Sequence, residues 1–205
     1  MIALPDLLMF VAALVAVYLL PGPDMALMIS SSAFNGARSG LLTAVGLAIA
    51  RTVHVILSAV GLAALLHAHP ALFDGVRWLG AAYLLLLAWK LLRTSASSDA
   101  AQGHQAGRGW AAIRSGIMTN LLNPKALMFC AFLLPQFITA QHNLTTQYLT
   151  LGAILVGLGF AFDLVYALAA ARLAQRLAGS GTIQTACRLL LAGIFGAAAI
   201  RLGLQ

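Results

Sequence analysis

Glutamate is missing from this chain of 205 residues, and aspartate occurs only five times, at Asp6, Asp24, Asp74, Asp99 and Asp163. Charged residues make up 8% of the whole, against about 25% in soluble domains, so the composition cannot build a solvated surface. Cysteine is equally scarce. Cys130 and Cys187 fall in apolar runs and form no CxxC pair, which argues against a thiol oxidoreductase and reads as two buried, small hydrophobes. No basic stripe exists either. The net charge of +7 comes from arginines and lysines placed singly between apolar runs, which speaks against a nucleic-acid partner. No cofactor or resident metal is expected.

What is present is apolar. Hydrophobic residues reach 61% with mean hydropathy +0.94, the composition of an all-α protein that crosses a lipid bilayer several times. The start, Met1 to Asp6, lacks the basic region of a secretory signal, and no cleavage pattern follows Tyr18 to Leu20. The first segment is therefore expected to be retained.

Six apolar segments can be drawn, at about 5–34, 39–66, 71–92, 113–138, 147–173 and 185–204. A bilayer core of roughly 30 Å needs about 20 helical residues, which all six reach. Lys90, Arg93, Arg108 and Arg114 flank the link from the third segment to the fourth. Arg172, Arg176 and Arg188 flank the link from the fifth to the sixth, and Arg38 marks the first turn. Thr139 to Gln147 has no Lys or Arg, and Arg77 is the one exception to the alternation. The positive-inside rule then places the inter-half loop in the cytoplasm and both termini in the periplasm, in a bacterial inner membrane. Trp78, Trp89 and Trp110, near segment ends, suit interfacial anchoring.

The segments divide into a first half at 1–93, a polar linker at 94–112 rich in Ser, Ala, Gly and Gln, and a second half at 113–205. Three helices per half is an odd number, so the second half enters the membrane in the opposite sense. That predicts six transmembrane helices as a 3+3 inverted repeat. Pro23-Asp24-Met25-Ala26-Leu27-Met28 resembles Pro124-Lys125-Ala126-Leu127-Met128, and the run Val45 to Arg51 resembles Val156 to Phe162.

Two of these segments are interrupted. Pro21-Gly22-Pro23-Asp24 breaks the first and Asn120 to Lys125 breaks the fourth, each a proline followed at once by a charge. A charge at the centre of a spanning helix costs roughly 2.5 to 3.5 kcal/mol on insertion scales. Arg51 and Asp163 complete a set of four, which left unpaired would cost on the order of 10 to 14 kcal/mol. They are expected to face a polar interior and one another. Paired breaks in two halves point to a transporter's binding site, where freed carbonyls favour an ammonium and half-helix N-termini favour a carboxylate. A zwitterion such as an amino acid is the simplest ligand. The bland readings stand beside this one: Pro21, Pro23 and Pro124 as kinks, Arg51 and Asp163 as a structural ion pair, and His54 as a packing histidine. Asn120 and Asn123 either touch substrate or cap the half-helix beginning at Pro124. Glycines such as Gly36, Gly40, Gly46, Gly61, Gly80, Gly116, Gly157 and Gly159 read as close-packing positions between helices.

The run Pro21-Gly22-Pro23, with Gly36-Ala37-Arg38-Ser39-Gly40, Gly46, His54 and Gly61, resembles the first half of the LysE/RhtB family of bacterial amino-acid exporters. The likeness continues through Gly80-Ala81-Ala82-Tyr83-Leu84 and Trp89-Lys90 to Asn120-Leu121-Leu122-Asn123-Pro124-Lys125. It implies a six-helix inner-membrane permease that moves amino acids or close derivatives outward, driven by protons. Arg51 departs from the acidic, polar or small residue expected there and makes a cationic substrate less attractive. Substrate binding is thus expected at Pro21, Gly22, Pro23, Asp24, Asn120, Asn123, Pro124 and Lys125, with Arg51, His54 and Asp163 in coupling or ion pairing. The expected partners are a neutral amino acid, protons and the bilayer, and a homo-oligomer is compatible with the sequence. Two alternatives remain. A cation or metal transporter using Asp24 and Asp163 would have to overcome repulsion from Lys125, and an intramembrane aspartyl enzyme lacks a GxGD motif.

Overall fold

The computed structural model describes residues 2–93, 105–139, 142–176 and 181–204. These residues form helices throughout, with no strand among them. Helix α1 spans Leu4–Leu19 and ends because Leu20, preceding Pro21, is pushed to extended backbone (φ −71°, ψ 118°). Helix α2 spans Pro23–Val60, with Pro23 at its first position, where a missing N–H does no harm. At 38 residues it would run about 57 Å, nearly twice a bilayer core, if it were straight. It is not straight. Gly36 has φ 83° and ψ 168°, a backbone state that side-chain-bearing residues rarely adopt, and it divides the helix into 23–35 and 37–60.

Gly61 closes α2 in the left-handed conformation (φ 105°), as a helix C-cap often does. Short α3, Leu62–Ala68, leads into α4, Pro70–Arg93. Helix α5 spans Gln105–Leu121, so it starts eight residues earlier than the apolar pattern suggests and takes in 105–112 of the expected linker; the remainder, 94–104, lies outside the described residues. After the break at Leu122 and Asn123, α6 spans Pro124–Met128 and passes into a π turn (Phe129–Leu133) and a 3₁₀ turn (Leu134–Phe137). Pro135 cannot supply an N–H to the preceding turn, and the irregular winding around it follows. The α5 and α6 stretches are bent by 56°. Helices α7 (Leu144–Arg176) and α8 (Gly181–Leu204) complete the chain.

Among the described residues, four helices are long and apolar enough to cross a membrane, and the bent pair at Asn123 makes a fifth if it counts as one span. The distribution of side chains is that of a bilayer protein. Val60 is 82% exposed and Leu149 68%, whereas Arg51, His54 and Asp163 are all at or below 3%, the reverse of a soluble domain. Trp78, Trp89 and Trp110 are all exposed, and the Arg77 and Arg93 guanidinium groups lie over the rings of Trp78 and Trp89. Cys130 is buried and Cys187 half-buried, both as free thiols.

Residues 23–35 form a wall shared by two cores. Ala26 and Leu27 pack on Leu84 of α4 and Phe195 of α8, while Met28 packs on Leu47 and on Ala167 of α7. A third core joins Phe10 and Leu14 of α1 to Val55, Phe129 and Leu155. Asp24, at the head of this wall, is carried to the centre of the bundle as a result.

Close helix approach is made by particular glycines. A methyl group on Gly46 would strike the Ile113 carbonyl of α5, and one on Gly116 would strike the Thr43 carbonyl of α2, while Gly157 has open space around it. Gly46→Val is therefore expected to lower the melting temperature in detergent, at an overpacking cost of about 1 to 3 kcal/mol. Gly157→Val is expected to melt like the parent chain; equal melting of both would mean that this contact does not set the α2–α5 distance.

Candidate functional site

The two proline breaks interlock. Asn123 is the N-cap of α6: its Oδ1 accepts from the Lys125 backbone N–H at 3.1 Å. Its Nδ2 donates to Asp24 Oδ1 at 3.0 Å, and Asn120 Nδ2 donates to Asp24 Oδ2 at 2.6 Å. The carboxylate that opens α2 is thus gripped by the break of the other half, at a helix N-terminus that favours negative charge. The grip is reciprocated. Lys125 Nζ donates to the Val17 and Leu20 carbonyls, at 2.7 and 3.1 Å, the acceptors that α1 leaves unpaired where Pro21 ends it.

Arg51 stands between two aspartates. It forks onto Asp163, at 2.5 and 3.2 Å, and its Nη2 lies 3.8 Å from Asp24 Oδ2. Its guanidinium also lies over the Tyr18 ring, 5.2 Å from the centroid, a favourable place for a cation. Tyr18 donates to the Leu155 carbonyl at 2.8 Å, and Tyr166 donates to the Tyr18 carbonyl at 2.9 Å. Every charge of the set therefore has an opposite charge or aligned dipoles beside it, as burial in a low-dielectric interior demands.

One acceptor pair is left over. His54 Nε2 donates to the Asn120 carbonyl at 3.1 Å, which leaves Nδ1 as the acceptor nitrogen. Neither His54 Nδ1 nor Asn120 Oδ1 has a hydrogen-bond partner among the described residues, although both are buried. Buried acceptors in such numbers call for a donor.

These groups surround one cavity. Asp24, Arg51, Lys125 and Asp163 line it, and so do Gly22, His54, Asn120 and Asn123. Pro21, Pro23 and Pro124 do not line it; they shape the breaks that do. The volume is about 60 Å³, room for about four to six waters at roughly 10 to 15 Å³ each.

Tyr18 and Tyr166 also line the cavity and were not singled out from the sequence. Their signal was present: Tyr18 stands three residues before Pro21, and Tyr166 three after Asp163, on the same helical face.

A family model described as LysE type translocator matches residues 15–205. The chain is 34% identical over 161 residues to a homoserine/homoserine lactone efflux protein of Salmonella typhimurium, covering 77% of this chain and 75% of that one. A leucine efflux protein of Salmonella choleraesuis is 32% identical over 137 residues, 65% of each chain. An uncharacterized membrane protein of Pseudomonas aeruginosa is 35% identical over 148 residues, 67% of this chain and 66% of that one. The chain thus spans about two thirds to three quarters of the length of these relatives. No solved structure matches it.

Proposed function

The chain belongs to the LysE type translocator family, and from that premise we propose that it exports a neutral amino acid or close derivative across the inner membrane in exchange for protons. Homoserine, threonine and the branched-chain amino acids fit best, in keeping with relatives named for homoserine and leucine efflux. The observation that carries this reading is the cavity's chemistry. Its two carboxylates and two cations cancel formally, so a zwitterion adds no net charge, and the His54 and Asn120 acceptors beside Asp24 suit an ammonium's N–H donors.

The substrate's ammonium replaces Lys125 Nζ on the carbonyls of Val17 and Leu20, next to Asp24. Lys125 then swings to the substrate's carboxylate, together with the N-terminus of α6. Asp24 carries the exchanged proton, because Asp163 is locked in the Arg51 fork while Asp24 is the more exposed of the two, at 21% against 4%. The aspartates do not suit a metal cargo, since Arg51 sits between them.

In this reading residues 4–35 form a broken first span and 37–68 the second, with α4 the third. The bent stretch 105–137 forms the fourth span, followed by α7 and α8, with both termini in the periplasm and halves at 1–93 and 113–205. Packing supports an inverted repeat, since α2 meets α7 and α4 meets α8 extensively, so the second span faces the fifth and the third faces the sixth. The symmetry is imperfect, because α2 packs closely on α5 while α1 touches α7 only sparsely.

Cells loaded with dipeptides of single amino acids test the function. Overproduction is expected to speed efflux of at least one neutral amino acid, and an uncoupler to abolish the gain. Unchanged efflux of every neutral amino acid would overturn the reading, and persistence of the gain under the uncoupler would remove the proton from it.

A further inference from the structure

The lining of the site cavity is graded from one side to the other. Leu20, Gly22, Asp24, Lys125, Phe162 and Tyr166 are exposed or half-buried, so the cavity reaches the outside at the break that ends α1. Leu14, Phe129, Cys130 and Leu155 also line it and are 9% exposed or less. The buried members stand N-terminal to the accessible ones on α1 and α7, and C-terminal to them on the stretch 124–137. The closed side is therefore the side where the connection 138–143 joins that stretch to α7.

Aromatic rings close it. The Phe10 ring, 0% exposed, meets the Phe137 ring edge-on with centroids 5.1 Å apart, and the Phe129 ring at 6.2 Å, the edge and tilted arrangements that aromatic pairs prefer. Leu134 and Leu151 pack into the same plug at 0% exposure. A dry, apolar constriction of this kind stops ions and zwitterions, which cannot shed their water into it. Two of the three rings stand on irregular backbone. Phe129 opens the π turn and Phe137 ends the 3₁₀ turn, windings that interrupt the regular ladder and often mark a hinge. The stretch is fastened at only a few points: Ser58 Oγ donates to the Cys130 carbonyl at 2.5 Å, and the Gln147 amide accepts from the Thr139 N–H at 2.9 Å and donates to its carbonyl at 2.8 Å. Phe10 stands on α1, which packs sparsely on α7. The plug thus joins an irregular stretch to a loosely packed helix, a seam that can part without breaking a regular one.

We propose that Phe10, Phe129 and Phe137 are the exit gate of the transport path, shut in this structure while the site at Asp24 is open on the entry side. The proposal rests on the export reading above, which sets the connection 138–143, without Lys or Arg, in the periplasm. An exporter has to seal its exit while it loads, since a cavity open on both sides lets substrate and protons run down their gradients.

Phe10→Ala with Phe137→Ala tests the gate in the full-length protein. In proteoliposomes this pair is expected to lose proton-driven accumulation of a neutral amino acid while keeping downhill flux at the rate of the parent or above. Misfolding, which stops both, does not give that split. Cys130 lines the cavity behind the plug and supplies a readout that needs no substrate. With Cys187→Ser in both proteins, a membrane-impermeant methanethiosulfonate added outside spheroplasts is expected to label Cys130 roughly 100-fold faster in the alanine pair, the order expected when the contacts of a buried phenylalanine are lost from the closed state alone. Phe10→Leu with Phe137→Leu should restore the behaviour of the parent in both assays. Accumulation and labelling at the level of the parent in the alanine pair would overturn the gate. Where that pair does not fold, Phe137→Ala alone truncates only the half-buried ring, and labelling no faster than in the parent would overturn the gate equally. A parent protein that transports no amino acid would overturn the export reading, whereas the labelling would still decide whether the rings seal the cavity.

Discussion

Asp163→Ala is expected to destabilise the protein by about 3 to 5 kcal/mol, the typical result of stripping one partner from a buried ion pair. Arg51 would be left at 3% exposure with only Asp24, 3.8 Å away, and the Tyr18 ring to offset its charge. Pulling Arg51 toward Asp24 would also disturb the grip of Asn120 and Asn123 on that carboxylate. Replacing both partners, Arg51→Leu with Asp163→Leu, is expected to regain most of the lost stability, since a well-packed apolar pair often matches a buried salt bridge. The double variant should nevertheless fail to transport, because Asp24 loses the Arg51 guanidinium that lies 3.8 Å from it, even though Asp24 and Lys125 still cancel in charge. Melting of the detergent-solubilised proteins separates the two effects. Asp163→Ala melting like the parent would mean that the fork to Arg51 does not hold the bundle together, and a transporting double variant would remove the pair from the mechanism.

Asp24→Asn and Lys125→Met are expected to leave the bundle folded and to cut export on the order of 100-fold, equivalent to about 2.7 kcal/mol of lost transition-state stabilisation. Asparagine keeps the shape of Asp24 but not its charge, so an ammonium loses its counter-ion and the exchange loses its acid. Methionine keeps the length of Lys125 while removing the donor that holds the Val17 and Leu20 carbonyls. Those carbonyls stay at the end of α1, available to a substrate ammonium, but no cation remains to take the carboxylate. The two variants thus fail at opposite ends of the same molecule. Substrate at high concentration should not rescue either one, because each loses a group needed by the substrate once it is bound.

Much of this arrangement was legible in the sequence for a simple reason. Proline removes an N–H wherever it stands, so the breaks at Pro21 to Pro23 and at Asn123-Pro124 could be read without knowing any neighbour. The mutual satisfaction of Asp24, Arg51, Lys125 and Asp163 followed from the cost of isolated charge in lipid. Which groups would satisfy which did not follow. Lys125 turned out to sit on carbonyls of α1 and Asp24 to be held by two asparagines, because charge sets a requirement for a partner and only the packing of helices chooses it. Gly36 shows the same limit. In an apolar run it read as a packing position, like Gly46 and Gly116, yet its positive φ is what divides α2, and a glycine permits such an angle without showing that it adopts it. The start of α5 at Gln105 was hidden by composition, since Ser, Ala, Gly and Gln read as linker while the backbone at Gly109 runs close to Leu42. Tyr18 and Tyr166 were passed over because a tyrosine in an apolar run is ordinary until its hydroxyl is seen to bond a carbonyl across helices.

The most direct test of the account is counterflow in proteoliposomes preloaded with an unlabelled neutral amino acid, comparing the parent protein with Asp24→Asn and Lys125→Met at equal reconstituted amounts. The account predicts that the parent accumulates labelled amino acid well above equilibrium while both variants stay at the level of empty vesicles. Accumulation by both variants at the rate of the parent would contradict it and would move the site away from the paired breaks.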